Sequence, residues 1–250
     1  NSEINQQPDR KKPTRVVYVW NYLEWGGAQV YFLGIASRIR DRADVKFVLP
    51  KETGKQFLGF CDNLKIPYEF LNVHNDLRAA PTLKRKFERH LNKIRAERET
   101  LRHIKNLDLT DAVLHVEMAP WSSLLSLMRL CSMAKIFITM HNRLPEVSSL
   151  RFYLWKLKFG IITRFENFHI FASNRDARES LKPFVAEKFL EKIKVTYTNV
   201  NPSEIEEALK AEIDRPPLSE KFSLPPNKFL VFCLGQFIDR KGRWTFLEAA

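Results

Sequence analysis

Two histidines and a glutamate lie where apolar runs end, and these are positions from which a sheet can present side chains to a ligand. His115 and Glu117 stand at the end of the run 112–116 (AVLHV), and His141 follows the run 135–140 (KIFITM). An imidazole can donate, accept or carry a proton near neutral pH, and a carboxylate can orient it. The residue types predict a polar site, although a histidine that merely finishes a strand is the commoner interpretation of each alone.

A pair of glycines, Gly26 and Gly27, separates the apolar run 16–20 (VVYVW) from a helical segment that carries Gln29. Because glycine has no Cβ, backbone N–H groups at such a turn can approach a phosphate closely. The dinucleotide fingerprint G-x-G-x-x-G and the P-loop pattern are both absent. The pair therefore fits a phosphate-facing loop or a plain tight turn, and the glycines alone leave both open.

Polar groups also follow two further apolar runs. Ser173 and Asn174 come after 168–172, where helix capping alone would explain them. Gly235 and Gln236 come after 229–234, and Lys241 precedes the next helical segment, where a lysine can meet a diphosphate as a point charge. Four strand ends with polar groups, in one sheet, favour a ligand cleft over coincidence.

The elements that would position these residues are apolar strand candidates alternating with longer helical segments. Several strands are apolar on both faces, as expected for parallel strands covered by helices. Strands are predicted at 16–20, 45–49, 68–71, 112–116, 135–140, 168–172, 193–197 and 229–234, and helices at 28–41, 54–65, 82–106, 120–133, 149–163, 174–183, 203–212 and 243–250. The pattern predicts an α/β fold with a doubly wound, Rossmann-like parallel sheet, whose ligands bind beyond the carboxyl ends of the strands.

Four segments are predicted along the chain. Residues 1–15 are polar, lack the apolar centre of an export signal, and are expected to be a flexible leader. Residues 16–212 form the main domain, and 213–227, with four prolines, is a linker to a second domain. Residues 228–250 open a new strand-helix unit and stop within a helical pattern, so we expect a truncated second Rossmann-like domain.

Composition restricts the partners. The net charge of +12 predicts an anionic partner, and no apolar run is long enough to span a membrane. Three cysteines, an odd and widely spaced set, fit buried thiols in a reducing compartment better than disulfides or a metal site.

Two segments concentrate the positive charge. Residues 84–105 hold nine Lys or Arg against three Glu, and residues 151–164 hold four with no acid, interleaved with aromatics. A solvated helix face is one interpretation, and a helix on an anionic membrane surface is another. Nucleic acid is a less favoured partner because no recognised nucleic-acid motif accompanies these segments.

Taken in order, five stretches resemble the family 4 type of glycosyltransferase with the GT-B architecture, in which two Rossmann-like domains face each other across a cleft. They are the strand with Gly-Gly at 16–29, His-x-Glu-x-x-Pro at 115–120, the strand-to-His at 135–141, the Thr-Asn-Val-Asn turn at 198–201, and Gly-x-x-x-x-x-Lys-Gly at 235–242. The resemblance implies that 16–212 is the acceptor-side domain and that 228–250 begins the nucleotide-sugar domain.

The resemblance also implies residue roles. Gly26 and Gly27 would face the donor diphosphate, His141 would contact the transferred sugar, and Lys241 would hold the diphosphate as it leaves. Gln236 stands where the family usually has an arginine, so leaving-group stabilisation would need another cation, such as Arg240 or Arg243. The acceptor side would carry the remaining candidates, Gln29, His115 and Glu117.

The implied activity is that of a retaining hexosyltransferase that moves a sugar from a nucleotide-sugar donor to a glycan or lipid-linked acceptor. It would serve cell-surface polysaccharide, lipopolysaccharide or glycolipid synthesis. The family reaction needs no metal and no cofactor, and the expected location is cytoplasmic, peripheral on the inner face of the membrane. The 250 residues alone are expected to be inactive. A nucleotide-sugar 2-epimerase and a non-catalytic membrane-association module are the alternatives.

Overall fold

The computed structural model describes residues 14–21, 27–73, 82–197, 206–207, 209–210 and 243–249. The chain divides into two compact units, residues 1–199 and residues 200–250, and each is considered by itself. The leader, the linker at 213–227 and the strand at 229–234 lie outside the described residues. The predicted domain boundaries therefore stay predictions.

Seven parallel strands form one sheet in the first unit, in the order β3-β2-β1-β4-β5-β6-β7. Their bounds are β1 (Thr14–Val19), β2 (Ala43–Pro50), β3 (Tyr68–Leu71), β4 (Ala112–Val116), β5 (Lys135–Met140), β6 (Phe168–Ala172) and β7 (Lys194–Val195). The strand order reverses between β1 and β4, and a crevice opens at such a point beyond the carboxyl ends of the strands. The predicted α/β fold with a doubly wound parallel sheet is confirmed.

Helices connect the strands of the first unit: α1 (Gly27–Ile39), α2 (Lys55–Asn63), α3 (Leu83–Lys105), α4 (Pro120–Cys131), α5 (Ser149–Ile162), α6 (Arg175–Glu179) and α7 (Glu187–Lys192). A further helix, α8 (Arg243–Ala249), belongs to the second unit. The helix predicted at 174–183 ends at Glu179, and Ser180 is its C-cap. The short helix α7 was not predicted, because six residues are too few for a helical periodicity to emerge.

The sheet separates two cores. Tyr18 and Trp20 project to the side of α1 and α2, where Phe32, Phe47 and Phe57 join them. The neighbouring positions in β1, Val17 and Val19, project to the opposite side with residues of α3, α4 and α5. Cys61 and Cys131, one in each core, are buried free thiols whose pKa burial raises to about 12. The sequence prediction of buried thiols is confirmed for these two residues.

Helix α5 turns opposite faces to the core and to solvent. Phe159 and Ile162 are buried, and Trp155 stacks on Trp121 of α4 with ring centroids 4.9 Å apart. The solvent side carries an apolar set at i, i+3, i+4, i+7 spacing that is 46–72% exposed, which we call the outer stripe of α5: Leu150, Tyr153, Leu154 and Leu157. No described helix is long and apolar enough to cross a membrane.

Candidate functional site

The carboxyl ends of β4 and β5 bring four polar side chains to one face of the sheet. His115 and Glu117 are two residues apart, as are Thr139 and His141, so each pair projects to the same face. The two strands are adjacent and parallel, with His115 opposite Phe137. Phe32 of α1 packs on the two histidines, with its ring centroid 4.2 Å from that of His115 and 5.5 Å from that of His141.

Glu117 lies between the two imidazoles. Its Oε1 is 3.7 Å from His141 Nε2 and 3.9 Å from His115 Nδ1. The side chains of His115 and Glu117 are 8% and 11% exposed, whereas that of His141 is 22% exposed. His141 Nε2 is buried and forms no hydrogen bond to the residues that the structure describes. A nitrogen in that position, beside a carboxylate at the mouth of a cleft, is suited to meet a polar group of a ligand.

His115 is the supporting member of this cluster. Its Nε2 forms a 2.9 Å hydrogen bond with Thr139 Oγ1. Burial lowers the pKa of His115 from 6.5 to about 4, which the neighbouring Glu117 opposes and His141 reinforces. The imidazole is therefore neutral at physiological pH. Phe32 packs on its ring, so His115 is enclosed at the end of β4, and its predicted acceptor-side role stays a prediction.

The backbone of His141 is fixed by the next strand end. Ser173 Oγ donates to the His141 carbonyl at 2.9 Å, and Asn174 Nδ2 donates to the same oxygen at 3.3 Å. Asn174 Oδ1 accepts from the backbone N–H of Ala177 at 2.7 Å and caps α6. In the sequence, helix capping alone was enough to explain these two residues. Their second role depends on the adjacency of β5 and β6, which composition does not reveal.

The amino-terminal turn of α1 lies on the same side of the sheet. Gly27 is the first helical residue, and a Cβ built on it meets no atom of the described residues within 4 Å. Gln29 is 7% exposed and therefore mostly enclosed. Tyr31, which the sequence did not single out, has its ring 5.8 Å from that of His141 and donates its hydroxyl to Thr196 Oγ1 at 2.6 Å.

The remaining sequence candidates lie outside the described residues. They are Gly26, Gln236 and Lys241, together with the turn at 198–201. Their roles stay predictions. Among the residues that are described, no group of three or more His, Cys, Asp or Glu side chains could hold a metal ion.

Two clefts open at this edge of the sheet and share the segment 117–119 as a common wall. One, of about 460 Å³, lies at the ends of β4 and β5 and is lined by His141, Thr139 and Arg143. The other, of about 410 Å³, lies between that segment and α3 and includes Asn21. Glu117, the carboxylate between the two histidines, borders both clefts.

Comparison with known proteins assigns no family. No protein-family model matches the chain, and no curated protein sequence matches it. Solved structures with a similar fold include Anabaena Alr3699/HepE in complex with UDP and glucose, at 15% identity and a TM-score of 0.45 over 80% of this chain and 50% of that chain. The structure of the same protein with UDP-glucose is 16% identical, with a TM-score of 0.45, over 79% of this chain and 49% of that chain.

A glycosyltransferase from Rickettsia africae is also similar, at 15% identity and a TM-score of 0.47 over 87% of this chain and 51% of that chain. The chain thus spans about half the length of these structures. Scores and identities this low assign neither a family nor an activity.

Proposed function

We propose that this chain is the acceptor-side part of a retaining glycosyltransferase that uses a nucleotide-sugar donor and a glycan or lipid-linked acceptor. The observation that carries the proposal is the cluster at the ends of β4 and β5. There His141 presents a buried nitrogen without a hydrogen bond to the described residues, 3.7 Å from the carboxylate of Glu117. It stands at the edge of a parallel sheet where ligands of this fold class bind.

In the proposed reaction, the bond between the anomeric carbon and the donor diphosphate breaks and a bond to an acceptor hydroxyl forms. The hydroxyl proton goes to the departing diphosphate, which leaves as an anion. His141 would donate from Nε2, which lies 3.7 Å from the Glu117 carboxylate, to a hydroxyl of the transferred sugar. Gly27, at the start of α1, would let the diphosphate approach the backbone, and Lys241 would neutralise it.

The outer stripe of α5 supports the proposed membrane partner. Exposed Leu150, Leu154 and Leu157 on one face would enter the interface of a bilayer, while Arg151 and Lys156 on the flanks would meet anionic headgroups. A peripheral enzyme docked in this way would meet a lipid-linked acceptor at the membrane surface. Cytoplasmic location on the inner membrane face and a part in polysaccharide or glycolipid synthesis belong to the same proposal.

The test is release of nucleoside diphosphate by the natural full-length protein, measured with UDP-, GDP- and ADP-sugars and a membrane lipid extract as acceptor source. We expect turnover of one donor class and its loss in His141→Gln. The product must keep the anomeric configuration of the donor, which NMR of the labelled sugar reports. Isomerisation of the sugar without an acceptor would identify an epimerase instead, and no reaction with any donor would favour a binding module.

A further inference from the structure

Three rings meet at nearly right angles over the end of β5, and we call them the aromatic corner: Tyr31, Phe32 and His141. Tyr31 and Phe32 are consecutive residues of α1, and their ring planes cross at 75° with centroids 5.0 Å apart. The His141 imidazole meets the Tyr31 ring at 85° and 5.8 Å, and the Phe32 ring at 81° and 5.5 Å. Perpendicular contacts of this kind are a favoured geometry for aromatic pairs. The imidazole is therefore held by α1 from two directions.

The hydroxyl of Tyr31 ties the aromatic corner to the far half of the sheet. It donates to Thr196 Oγ1 at 2.6 Å, and the Thr196 carbonyl is 3.3 Å away. Thr196 follows β7, and its backbone N–H donates to the Ala172 carbonyl at the end of β6. Helix α1 connects β1 and β2, on one side of the point where the strand order reverses, whereas β6 and β7 lie on the other side. Tyr31 therefore fastens α1 across the crevice.

The backbone and the ring of His141 are fixed by different elements. Ser173 and Asn174, at the end of β6, donate to the His141 carbonyl, and the aromatic corner holds the imidazole. His141 Nε2 forms no hydrogen bond to the described residues and lies 3.7 Å from Glu117 Oε1, beyond the upper limit of about 3.2 Å for an ordinary N–H···O bond. Because a buried nitrogen without a hydrogen bond costs free energy, an imidazole free to turn would find a partner. The aromatic corner thus keeps Nε2 available to a ligand.

We propose that Tyr31 is a positioning residue of the candidate site: its ring holds the His141 imidazole, and its hydroxyl holds the ring. The inference rests on the proposed function, in which His141 Nε2 meets a hydroxyl of the transferred sugar. A small displacement of a positioned group lowers turnover strongly, because the reacting atoms must be met at defined distances. Tyr31 acts through His141, so its loss should lower kcat and leave KM for donor and acceptor unchanged.

The first test follows the His141 ring by NMR in the 250-residue chain, without any substrate. We expect the order parameter of the ring Cε1–H bond to be about 0.85 in wild type and to fall to about 0.6 or below in Tyr31→Leu, which removes both the ring and the hydroxyl. Tyr31→Phe, which removes only the hydroxyl, should give an intermediate value. The matched control is Tyr18→Phe, since Tyr18 is also a buried tyrosine of this core and packs on His115. It should leave the His141 ring unchanged.

The second test measures turnover by the natural full-length protein. Tyr31→Leu should lower kcat about tenfold, and Tyr31→Phe about threefold. Thr196→Val removes the same hydrogen bond from its other side, so Tyr31→Phe/Thr196→Val should lose no more than Tyr31→Phe alone. If Tyr31→Leu does not fold, Tyr31→Phe and its combination with Thr196→Val carry both tests.

Three outcomes would overturn the inference. They are an unchanged order parameter of the His141 ring in the Tyr31 variants, an equal loss of kcat in Tyr18→Phe, and a raised KM with unchanged kcat in Tyr31→Phe. Failure of the proposed function gives a different result. A more mobile His141 ring in the Tyr31 variants, in a protein that turns over no nucleotide sugar, would remove the transferase and leave the positioning of His141.

Discussion

The carboxyl edge of the sheet and the outer stripe of α5 depart from the usual distribution of residues in opposite ways. At the sheet edge, His115 and Glu117 are polar and almost fully enclosed. On α5, Leu150 and Leu157 are apolar and more than half exposed. Burying polar groups and exposing contiguous apolar ones both oppose stability, and this cost is the reason for treating each region as a candidate binding surface.

The difference lies in how firmly each region is held. The His141 backbone receives two hydrogen bonds from the next strand end, and His115 is tied to Thr139 and covered by Phe32. Such fixation suits a small polar ligand whose atoms must be met at defined distances. The outer stripe needs no partner atoms at defined positions, because the hydrophobic effect is non-directional and depends on the apolar area that is buried.

The largest effect is expected from His141→Gln. Loss of the imidazole beside Glu117 should lower kcat of the full-length protein about 100-fold, within the range for a positioned polar group, with vesicle binding unchanged. His169→Gln is the matched control, since His169 lies on β6 and stacks on Phe137. Similar activity in both variants, or unfolding of His141→Gln alone, would show that His141 is only a packed histidine.

The second effect concerns the outer stripe. Leu154→Ser/Leu157→Ser should weaken binding to phosphatidylglycerol vesicles about 30-fold, roughly 2 kcal/mol, because two leucines no longer enter the interface. The comparison variant is Leu83→Ser/Phe87→Ser, which removes two exposed apolar residues of the other basic helix. We expect it to weaken binding less than about threefold. If a flotation assay shows the larger loss of vesicle binding in Leu83→Ser/Phe87→Ser, the membrane-binding surface lies on α3 and not on α5.

The third effect concerns Gly27→Ala. A Cβ there meets no described atom, so unfolding free energy should change by about 1 kcal/mol or less. If a diphosphate approaches this backbone, kcat/KM for the nucleotide sugar should fall more than about tenfold, or ~1.4 kcal/mol. Gly34→Ala, in the same helix and also free of contacts within 4 Å, is the control. A change in melting temperature without a change in donor kinetics would mean that the two glycines only form a turn and do not face a phosphate.

The smallest effect is a pH dependence of stability. The folded-state pKa of His115 is lowered to about 4, so the unfolded chain binds the proton first and stability falls as pH decreases below 6.5 toward 4. Between pH 7 and pH 5.5 one such histidine removes about 1 kcal/mol. Denaturant titrations give the unfolding free energy at both pH values. The fall in that free energy between pH 7 and pH 5.5 should be larger in wild type than in His115→Gln by that amount. Parallel pH profiles would mean that His115 is not kept neutral by the fold.

Much of the fold could be predicted, because buried parallel strands are apolar runs with clear ends. The bounds of β3, β4, β5 and β6 agree with the predicted ones for this reason. The fold class follows from alternating strands and helices. Helix α7 was missed since its six residues show no period.

The site could be predicted only in part. His115, Glu117 and His141 stood out by type and position, but their mutual distances depend on strand adjacency and register. Tyr31 looked like an ordinary apolar helix residue, because only the fold brings it beside His141 and Thr196.

The capping residue of α6 uses both ends of its side-chain amide, one to accept from the helix and the other to donate to His141. At most helix starts, aspartate and asparagine are interchangeable, since either supplies the accepting oxygen. Here aspartate would place a second oxygen against the carbonyl of His141 and repel it. Both the oxygen and the nitrogen of the Asn174 amide are therefore needed. Asn174→Asp, which a helix start alone would tolerate, should displace His141 at the end of the neighbouring strand.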